Sequence, residues 1–334
     1  MKKIIVIGAT GRTGAYFIDY CMTHIDLTKY EIIPVGTRKT DFFKKYNLDY
    51  YQVDITKEED LQKLPTENIY AVVLLAAILP AYMNGYDAKK YIYVNVVGAL
   101  NVLEYCRKNH VDRILYPQTE ADLAGHWNKT FKLSPFLQRD FSFVGDHALY
   151  VISKNTAVDM IEHYHQTYGI KRFIFRCPTI YSYTPSPYYY VNGEKKILSY
   201  RYMFDKAMKG EEIEMWGDPT RAKDIVYVKD FSQMLYKALF VHREEGLYNV
   251  GTGVATSLKD QIEGMIKVFC PKDKKSKIKH CPEKSDSRNF VMDISNAQEE
   301  LGYQPKYYYL DYLEDFKKEM ELDRFKDLRE IKHE

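Results

Sequence analysis

The chain has 334 residues, of which 46% are hydrophobic and 28% charged, a composition typical of a folded soluble protein with one large domain and a smaller lobe. Its formal net charge of +2 gives no electrostatic reason to expect a nucleic-acid partner. The five cysteines are scattered without metal-type spacing, so we expect neither a disulfide framework nor a metal site, and a cytoplasmic location. We expect no membrane partner, because no apolar stretch is long enough to span a bilayer.

The N-terminus predicts a strand, a glycine turn and a helix in immediate succession. Lys3 to Ile7 is a β-branched run typical of a buried parallel strand, and the predicted helix Ala15 to His24 follows the turn. Glycines let the backbone turn tightly and approach a pyrophosphate, whose charge is stabilised at the helix N-terminus. We therefore predict a dinucleotide site. The expected contacts are Gly8, Thr10, Gly11, Arg12, Thr13 and Gly14.

The second predicted strand ends at the position that distinguishes NAD from NADP. An acidic residue there would hold the adenosine ribose hydroxyls of NAD, but this chain has Gly36, Thr37, Arg38 and Lys39. Arginine suits bidentate phosphate recognition, so Arg38, assisted by Arg12 or Lys39, is predicted to bind the 2′-phosphate of NADP. Thr37 is assigned to the same site. An Arg38 that points into solvent would leave NAD as the alternative cofactor.

The alternation of strands and helices continues along the chain. Asp54 and Ile55 follow a third strand and are placed to meet the edge and face of the adenine. Ala76 and Ala77 follow a fourth strand and are small enough for the backbone to pass close to the cofactor. We assign all four residues to cofactor binding.

A long helical pattern from Tyr91 to Asn109 carries Asn95 and precedes a fifth strand, which leads to Gln118 and Thr119. Open α/β sheets bind ligands at the carboxyl ends of their strands. Thr119 is therefore a candidate for contact with the reacting group.

The most informative pair is Tyr150 and Lys154, one helical turn apart on a predicted helix that runs to about Tyr168. A free tyrosine has a pKa of about 10, so it is a poor acid or base near neutrality until a nearby cation stabilises the phenolate. The same spacing recurs at Tyr86 and Tyr202, so spacing alone decides nothing. Position within a dinucleotide-binding pattern selects Tyr150.

The predicted elements divide the chain into two parts. Residues 1–178 form a dinucleotide-binding domain built on a Rossmann-like doubly wound parallel sheet, and residues 179–334 form mainly a smaller α/β substrate lobe. A segment at about 224–253 is predicted to return to the first domain. The polar helix from Asp311 to the end is expected to be a solvated terminal element.

The chain resembles an extended short-chain dehydrogenase/reductase of the NAD-dependent epimerase/dehydratase family. The resemblance covers nearly the whole chain. It rests on Gly8 to Gly14, Asn95 to Gly98, Asn101 to Glu104, Thr119, Tyr150 with Lys154, Arg176 with Pro178, Asp224 to Asp230, Asn249 to Gly253, Asp293 to Ser295 and Leu301 to Pro305.

The resemblance implies a role for each candidate. Tyr150 would be the acid/base, Lys154 would lower the Tyr150 pKa and hold the nicotinamide ribose, and Thr119 would bond the reacting oxygen. Asn95 would support the lysine through water, and Pro178 would border the cofactor. The resemblance also implies a homodimer formed by two helices per subunit, Tyr91 to Asn109 and Tyr150 to Tyr168.

This chain departs from the family pattern in the half that binds substrate. Nucleotide-sugar enzymes tend to have asparagine where this chain has Thr179 and arginine where it has Lys223, and Ser182 and Tyr183 replace a Gly-Pro pair. Leu123-Ala124 replaces the customary Tyr-Gly. We assign the substrate contacts to Gln118, Glu120, Thr179 and Lys223.

Three functions remain open on the sequence. The first is a nucleotide-sugar epimerase that oxidises a carbinol carbon and reduces it again, and the second is an NADP-dependent dehydrogenase or carbonyl reductase on a small alcohol or ketone. The third is a non-catalytic NADP sensor. The 4,6-dehydratases of the family place an acid and then a base after the threonine, but here Glu120 is followed by Ala121, so we predict no such elimination.

Overall fold

The computed structural model describes residues 1–184, 186–191 and 193–328. The strands are β1 Lys2–Ile7, β2 Tyr30–Gly36, β3 Tyr51–Gln52, β4 Ile69–Leu74, β5 Arg113–Thr119, β6 Lys132–Leu133, β7 Lys171–Cys177, β8 Ile180–Tyr181, β9 Tyr188–Val191, β10 Glu194–Ile197, β11 Ile213–Trp216, β12 Ala222–Asp224, β13 Val226–Tyr227, β14 Glu245–Asn249, β15 Ala255–Ser257, β16 Ile278–Cys281 and β17 Val291–Met292. The α-helices are α1 Arg12–His24, α2 Glu58–Leu61, α3 Ala88–Lys90, α4 Gly98–Lys108, α5 Asp146–Tyr168, α6 Ser199–Lys209, α7 Val228–Phe240, α8 Leu258–Phe269, α9 Ser295–Leu301 and α10 Tyr309–Leu322.

The central sheet has seven parallel strands in the order β14-β7-β5-β4-β1-β2-β3. The chain first moves outward from β1 to β2 and β3, then returns to the other side of β1 to build β4, β5, β7 and β14. Such a reversal opens a crevice at the carboxyl ends of the strands, where doubly wound sheets bind their ligands. The predicted Rossmann-like fold is confirmed.

Both faces of the central sheet are covered by helices. Ile4 and Val6 of β1 belong to one core with α1 and α7, whereas Ile5 and Ile7 belong to another with α4 and α5. Alternate residues of a strand point to opposite faces, so a strand buried on both sides needs an apolar residue at every position. This requirement explains the continuous apolar run that follows Lys3.

The C-terminal part of the chain forms short two-stranded sheets and helices, and its division from the first part into a separate lobe stays a prediction. β9 pairs with β10, β11 with β16, and β12 with β15, while α8 packs against both α6 and α10. β14 returns from this part of the chain to the central sheet, beside β7. Among the described residues, no helix combines the length and apolar character needed to cross a bilayer.

Two helical segments near the site differ from the predicted pattern. α1 begins at Arg12 rather than Ala15, so Gly14 lies inside its first turn. The segment Tyr91–Val97 is a π-helix that continues into α4 and carries Asn95. π-helical turns are rare and frequently occur at functional sites.

The expectation that the last helix is a solvated element is wrong. α10 buries Tyr312, Phe316 and Glu319, and the Glu319 carboxylate is 1% exposed. It accepts a hydrogen bond from the Tyr16 hydroxyl of α1 at 3.1 Å and forms an ion pair of 2.9 Å with Lys229 of α7. The helix therefore packs against α1 and α7 through Glu319, which its polar exposed face did not reveal.

Candidate active site

The glycine turn after β1 is closed so tightly that side chains would not fit. Gly8 has a φ of +93°, and a Cβ on it would lie 2.7 Å from the Ala76 nitrogen. A Cβ on Gly14 would lie 2.3 Å from the Gly8 carbonyl oxygen. Gly11, the residue before α1, has no side chain to cap the helix, and the first turn of α1 holds no acidic residue. The turn and the positive end of α1 therefore fit a pyrophosphate.

The side chains of the turn pack against neighbouring segments of the chain. The Arg12 guanidinium lies 4.8 Å from the centre of the Tyr82 ring, and burial lowers its pKa. Thr10 is buried against the end of β2, where a Cβ on Gly36 would lie 2.8 Å from the Thr10 hydroxyl oxygen. An acidic side chain at position 36 would collide with Thr10, which gives a steric reason for its absence. Thr13 is partly buried in the first turn of α1.

Thr37 and Arg38 are exposed at the end of β2. The Arg38 guanidinium donates a hydrogen bond of 3.4 Å to the Leu328 carbonyl, and the Tyr50 hydroxyl donates to the Arg38 carbonyl. The C-terminal segment thus reaches the position that the sequence assigns to cofactor discrimination. Arg12, which we expected to assist Arg38, instead lies against Tyr82.

The residues after β3 are less open than we expected. The Asp54 carboxylate accepts hydrogen bonds from the Thr56 backbone nitrogen at 3.0 Å and from its hydroxyl at 2.8 Å. Ile55 is 4% exposed, because its Cδ1 atom packs against Gly98 of α4. Ile55 therefore lies beneath α4, and its contact with the adenine stays a prediction.

The loop after β4 is held by Asn95. The Asn95 side-chain oxygen accepts a hydrogen bond from the Ile78 nitrogen at 2.8 Å, and its amide donates to the Ile78 carbonyl at 3.2 Å and to the Ser153 hydroxyl at 3.0 Å. Ala76 and Ala77 begin this loop. Asn95 thus joins the loop to the helix that carries Lys154. The sequence analysis missed Ser153, although its place directly before Lys154 was a signal.

Thr119 ends β5, and α5, which packs against β5, carries Tyr150 and Lys154. Burial raises the pKa of Tyr150 and the Glu120 carboxylate raises it further, while the Thr119 side chain acts to lower it. The Lys154 ammonium lies 3.9 Å from the centre of the Tyr116 ring, and burial lowers its pKa to about 7. Desolvation disfavours the charge on Tyr150 and on Lys154, and the role of Lys154 in lowering the Tyr150 pKa stays a prediction.

Glu120 is the second ionisable group beside the tyrosine. It is 7% exposed, and burial raises its pKa to about 7. The Arg288 guanidinium forms an ion pair with it at 3.3 Å and lies 3.9 Å from the centre of the Trp127 ring. The sequence analysis missed Arg288. No local pattern could reveal it, because 168 residues separate it from Glu120.

The other predicted substrate residues lie in different surroundings. Gln118 is 3% exposed, its amide donates to the Asn155 side-chain oxygen at 2.6 Å, and its oxygen accepts from the Thr119 nitrogen at 2.9 Å. Gln118 therefore supports Thr119 from inside the protein, and its contact with the substrate stays a prediction. Thr179 is exposed beyond the buried Pro178, and the partly buried Lys223 lies 5.8 Å from the centre of the Tyr181 ring.

Comparison with known proteins agrees with this geometry. Residues 4–251 match the NAD dependent epimerase/dehydratase family. The chain is 25% identical over 307 residues to a putative UDP-glucose 4-epimerase of Methanocaldococcus jannaschii, with coverage of 91% of this chain and 93% of that protein. It is also 25% identical over 280 residues to a UDP-glucuronate 4-epimerase of Thermodesulfobacterium geofontis, covering 83% and 80% of the two proteins.

A solved structure shows the same fold. The UDP-glucose 4-epimerase of Thermotoga maritima superposes with a TM-score of 0.74 at 22% identity, and the match covers 95% of this chain and 99% of that one. The family match spans well over half of the chain and includes the glycine turn, Thr119, Tyr150 and Lys154. The chain therefore belongs to the NAD dependent epimerase/dehydratase family and is an enzyme of the extended short-chain dehydrogenase/reductase class.

Proposed function

We propose that this enzyme is a nucleotide-sugar epimerase that oxidises a carbinol carbon of the sugar and then reduces the ketone again. The observation that carries the proposal is that α5, with Tyr150 and Lys154, packs against β5, which ends at Thr119, in a sheet whose first strand leads into the glycine turn. The relatives that act on UDP-sugars support the choice of substrate class.

Each residue of the site has its own role in the proposed reaction. A bound nicotinamide dinucleotide supplies the hydride acceptor and donor. Tyr150 holds or releases the proton at the reacting oxygen, and Thr119 orients that oxygen by a hydrogen bond. Lys154 binds the hydroxyls of the nicotinamide ribose, and its buried amine is neutral or charged near pH 7. Glycines 8 and 14 leave room for the pyrophosphate.

The alternative is net oxidoreduction of a small alcohol or ketone. It is favoured by Thr179 and Lys223, which replace the residues typical of nucleotide-sugar enzymes. The sensor alternative is set aside, because a protein that only binds the cofactor has no need of the complete set of Thr119, Tyr150 and Lys154.

The two reactions differ in how they use the cofactor, and this gives the decisive test. An epimerase recycles its dinucleotide, so we expect purified protein to release a nicotinamide dinucleotide on denaturation, detected by absorbance and mass spectrometry. Incubation with a panel of UDP- and dTDP-sugars should give an epimer and no 4-keto-6-deoxy product, since Ala121 cannot act as the base. Cofactor-free protein that turns over only with added dinucleotide would favour the alternative, and a 4-keto-6-deoxy product would contradict the missing base.

We also propose that NADP is preferred over NAD. The support is Arg38 at the end of β2 together with Gly36, whose contact with Thr10 excludes an acid there. Calorimetric titration of cofactor-free protein should show tighter binding of NADP, and Arg38→Ala should remove most of the difference. Lys29→Ala, which removes an exposed cation before the start of β2, is the control and should keep it. Equal or tighter binding of NAD by the unaltered protein would show that Arg38 serves only its contact with Leu328.

A further inference from the structure

The segment that follows α10, residues 324–328, packs against α1 and against the short 3₁₀-helix that comes after β2. The centre of the Phe325 ring lies 4.7 Å from that of Tyr16 on α1 and 5.8 Å from that of Phe42 in the 3₁₀-helix. Phe325 and Leu328 are buried in the same apolar core as Phe42. Returning such side chains to water costs free energy, so the two residues hold the segment in this place.

Charged groups hold the same segment. The Arg324 guanidinium forms ion pairs with the Asp19 carboxylate of α1 and with the Glu319 carboxylate of α10, the latter at 2.6 Å. Asp19 also accepts a hydrogen bond of 2.7 Å from the hydroxyl of Tyr46, the last residue of the 3₁₀-helix. Arg324 and Asp19 are both partly buried, which reduces the screening of their attraction by salt. The ion pairs therefore connect the segment with α1 and with the 3₁₀-helix.

The segment reaches the cofactor site at Arg38. The Arg38 guanidinium donates a hydrogen bond of 3.4 Å to the Leu328 carbonyl oxygen. A carbonyl is an uncharged acceptor and occupies only part of the N–H donors of a guanidinium. Among the residues that the structure describes, no carboxylate forms an ion pair with Arg38. The contact therefore restrains the guanidinium without cancelling its charge, and the other donors stay available for a phosphate.

A restrained arginine binds a phosphate more tightly than one that moves freely in solvent. The loss of rotamer freedom on binding weakens affinity by roughly 3- to 10-fold for a long side chain, and a side chain that is already held loses less. This gain applies only to a ligand that Arg38 contacts. The 2′-phosphate is present in NADP and absent from NAD, so the restraint increases the difference in affinity between the two.

We propose that residues 324–328 form part of the cofactor site and raise its selectivity for NADP by holding Arg38 in the orientation that receives the 2′-phosphate. Arg38 binds the phosphate, whereas Arg324 and Phe325 are positioning residues that act through it. No local pattern could reveal this role, because 290 residues separate Arg38 from Leu328. The inference rests on the proposed preference for NADP and does not depend on which sugar the enzyme converts.

The test measures binding and needs no turnover. Cofactor-free protein is titrated in a calorimeter with NADP and NAD, and with adenosine 2′,5′-bisphosphate and AMP, which report on the adenosine end alone. Phe325→Ala should lower both selectivity ratios by roughly 3- to 10-fold, through weaker binding of the ligand that carries the 2′-phosphate. Affinity for NAD and AMP should stay nearly unchanged. Arg324→Gln should act in the same direction, and Phe325→Leu, which keeps a buried apolar side chain, should recover most of the selectivity.

Phe269 supplies the control for a general loss of stability. It is a buried phenylalanine of α8 whose ring stacks on that of Phe204 at 4.3 Å. Phe269→Ala should lower the free energy of unfolding, as Phe325→Ala does, and yet keep both selectivity ratios. If the two variants lose selectivity equally, selectivity follows stability and not the contact with Arg38, and the proposal is wrong.

A double-mutant cycle shows whether the segment acts through Arg38. In an Arg38→Ala protein no guanidinium remains to be held, so the addition of Phe325→Ala should cause no further loss of selectivity. Losses that add in the double variant would contradict the proposal. A rise of NADP selectivity in Phe325→Ala would contradict it too, because Leu328 would then compete with the phosphate for Arg38.

Hydrogen exchange gives the reciprocal measurement in the unaltered protein. If the packed segment favours NADP, then NADP favours the packed segment by the same factor. The backbone amides of residues 324–328 should therefore exchange more slowly in saturating NADP than in saturating NAD. Equal exchange with the two cofactors would overturn the inference.

These outcomes separate the inference from the proposals on which it rests. Loss of selectivity in Arg38→Ala together with full selectivity in Phe325→Ala rejects the role of the segment and keeps the preference for NADP. Equal binding of NADP and NAD by the unaltered protein rejects both. The conversion of nucleotide sugars enters none of these measurements, so a failure of the epimerase proposal would appear only in the assay with sugars.

Discussion

Replacement of Tyr150 by phenylalanine is expected to remove at least two orders of magnitude of turnover, since general acid/base catalysis contributes about 10²- to 10⁴-fold. The phenyl ring keeps the packing against Tyr91, whose ring centre lies 6.2 Å away, and loses only the hydroxyl that faces Thr119. Binding of the dinucleotide, measured by calorimetry, should therefore stay nearly unchanged. Turnover of the nucleotide sugar gives the kinetic readout.

The chain supplies two controls for this substitution. Tyr86 and Tyr202 each precede a lysine by one turn but are 59% and 49% exposed, so Tyr86→Phe and Tyr202→Phe should keep activity. Activity that survives in Tyr150→Phe and disappears in either control would mean that the catalytic site has been placed wrongly.

The second large effect concerns stability, at the buried ion pair of Asp122 with Arg176. Their side chains are 0% and 5% exposed, and the Arg176 Nε lies 3.0 Å from Oδ1 of Asp122. Asp122→Ala would leave the guanidinium buried with the Pro135 carbonyl as its remaining partner at 2.6 Å. Removing one partner of a buried pair costs about 3–5 kcal/mol, so the free energy of unfolding in urea should fall by that amount.

Two further variants identify the cause of this loss. Asp159 forms a comparable but exposed pair with Arg139 at 2.7 Å, and Asp159→Ala should cost only about 0.2–1 kcal/mol. The double change Asp122→Leu with Arg176→Met removes both charges and should recover most of the stability. If Asp122→Ala lowers the free energy of unfolding by no more than Asp159→Ala does, the buried pair contributes far less stability than its geometry indicates.

The parts of the site that were predictable are those encoded by local pattern. The glycine turn was recognisable because the backbone geometry at Gly8 and Gly14 excludes side chains. This requirement appears in the sequence as glycines at a fixed spacing. Tyr150 and Lys154 were recognisable because helical periodicity places them on one face. The resemblance to a known family then gave the fold, which the central sheet confirms.

The parts that were missed depend on groups brought together from distant segments. Arg288 reaches Glu120 only because a segment 168 residues further along the chain folds back to the end of β5. Gln118 turned out to support Thr119, and Ile55 to lie beneath α4, because burial depends on neighbours that are not adjacent in sequence.

The sequence by itself determined the order of strands and helices and the glycine turn, and it selected Thr119, Tyr150 and Lys154 as catalytic candidates, because each of these follows from residue type at short spacing. Only the tertiary structure decided the ionisation of those side chains. A pKa depends on desolvation and on charges within a few ångströms, and these come from β5, α5, β7 and the C-terminal lobe together. For this reason the sequence predicted a Tyr150 activated by Lys154 and could not predict the opposing effects of burial and of Glu120, which raise the Tyr150 pKa.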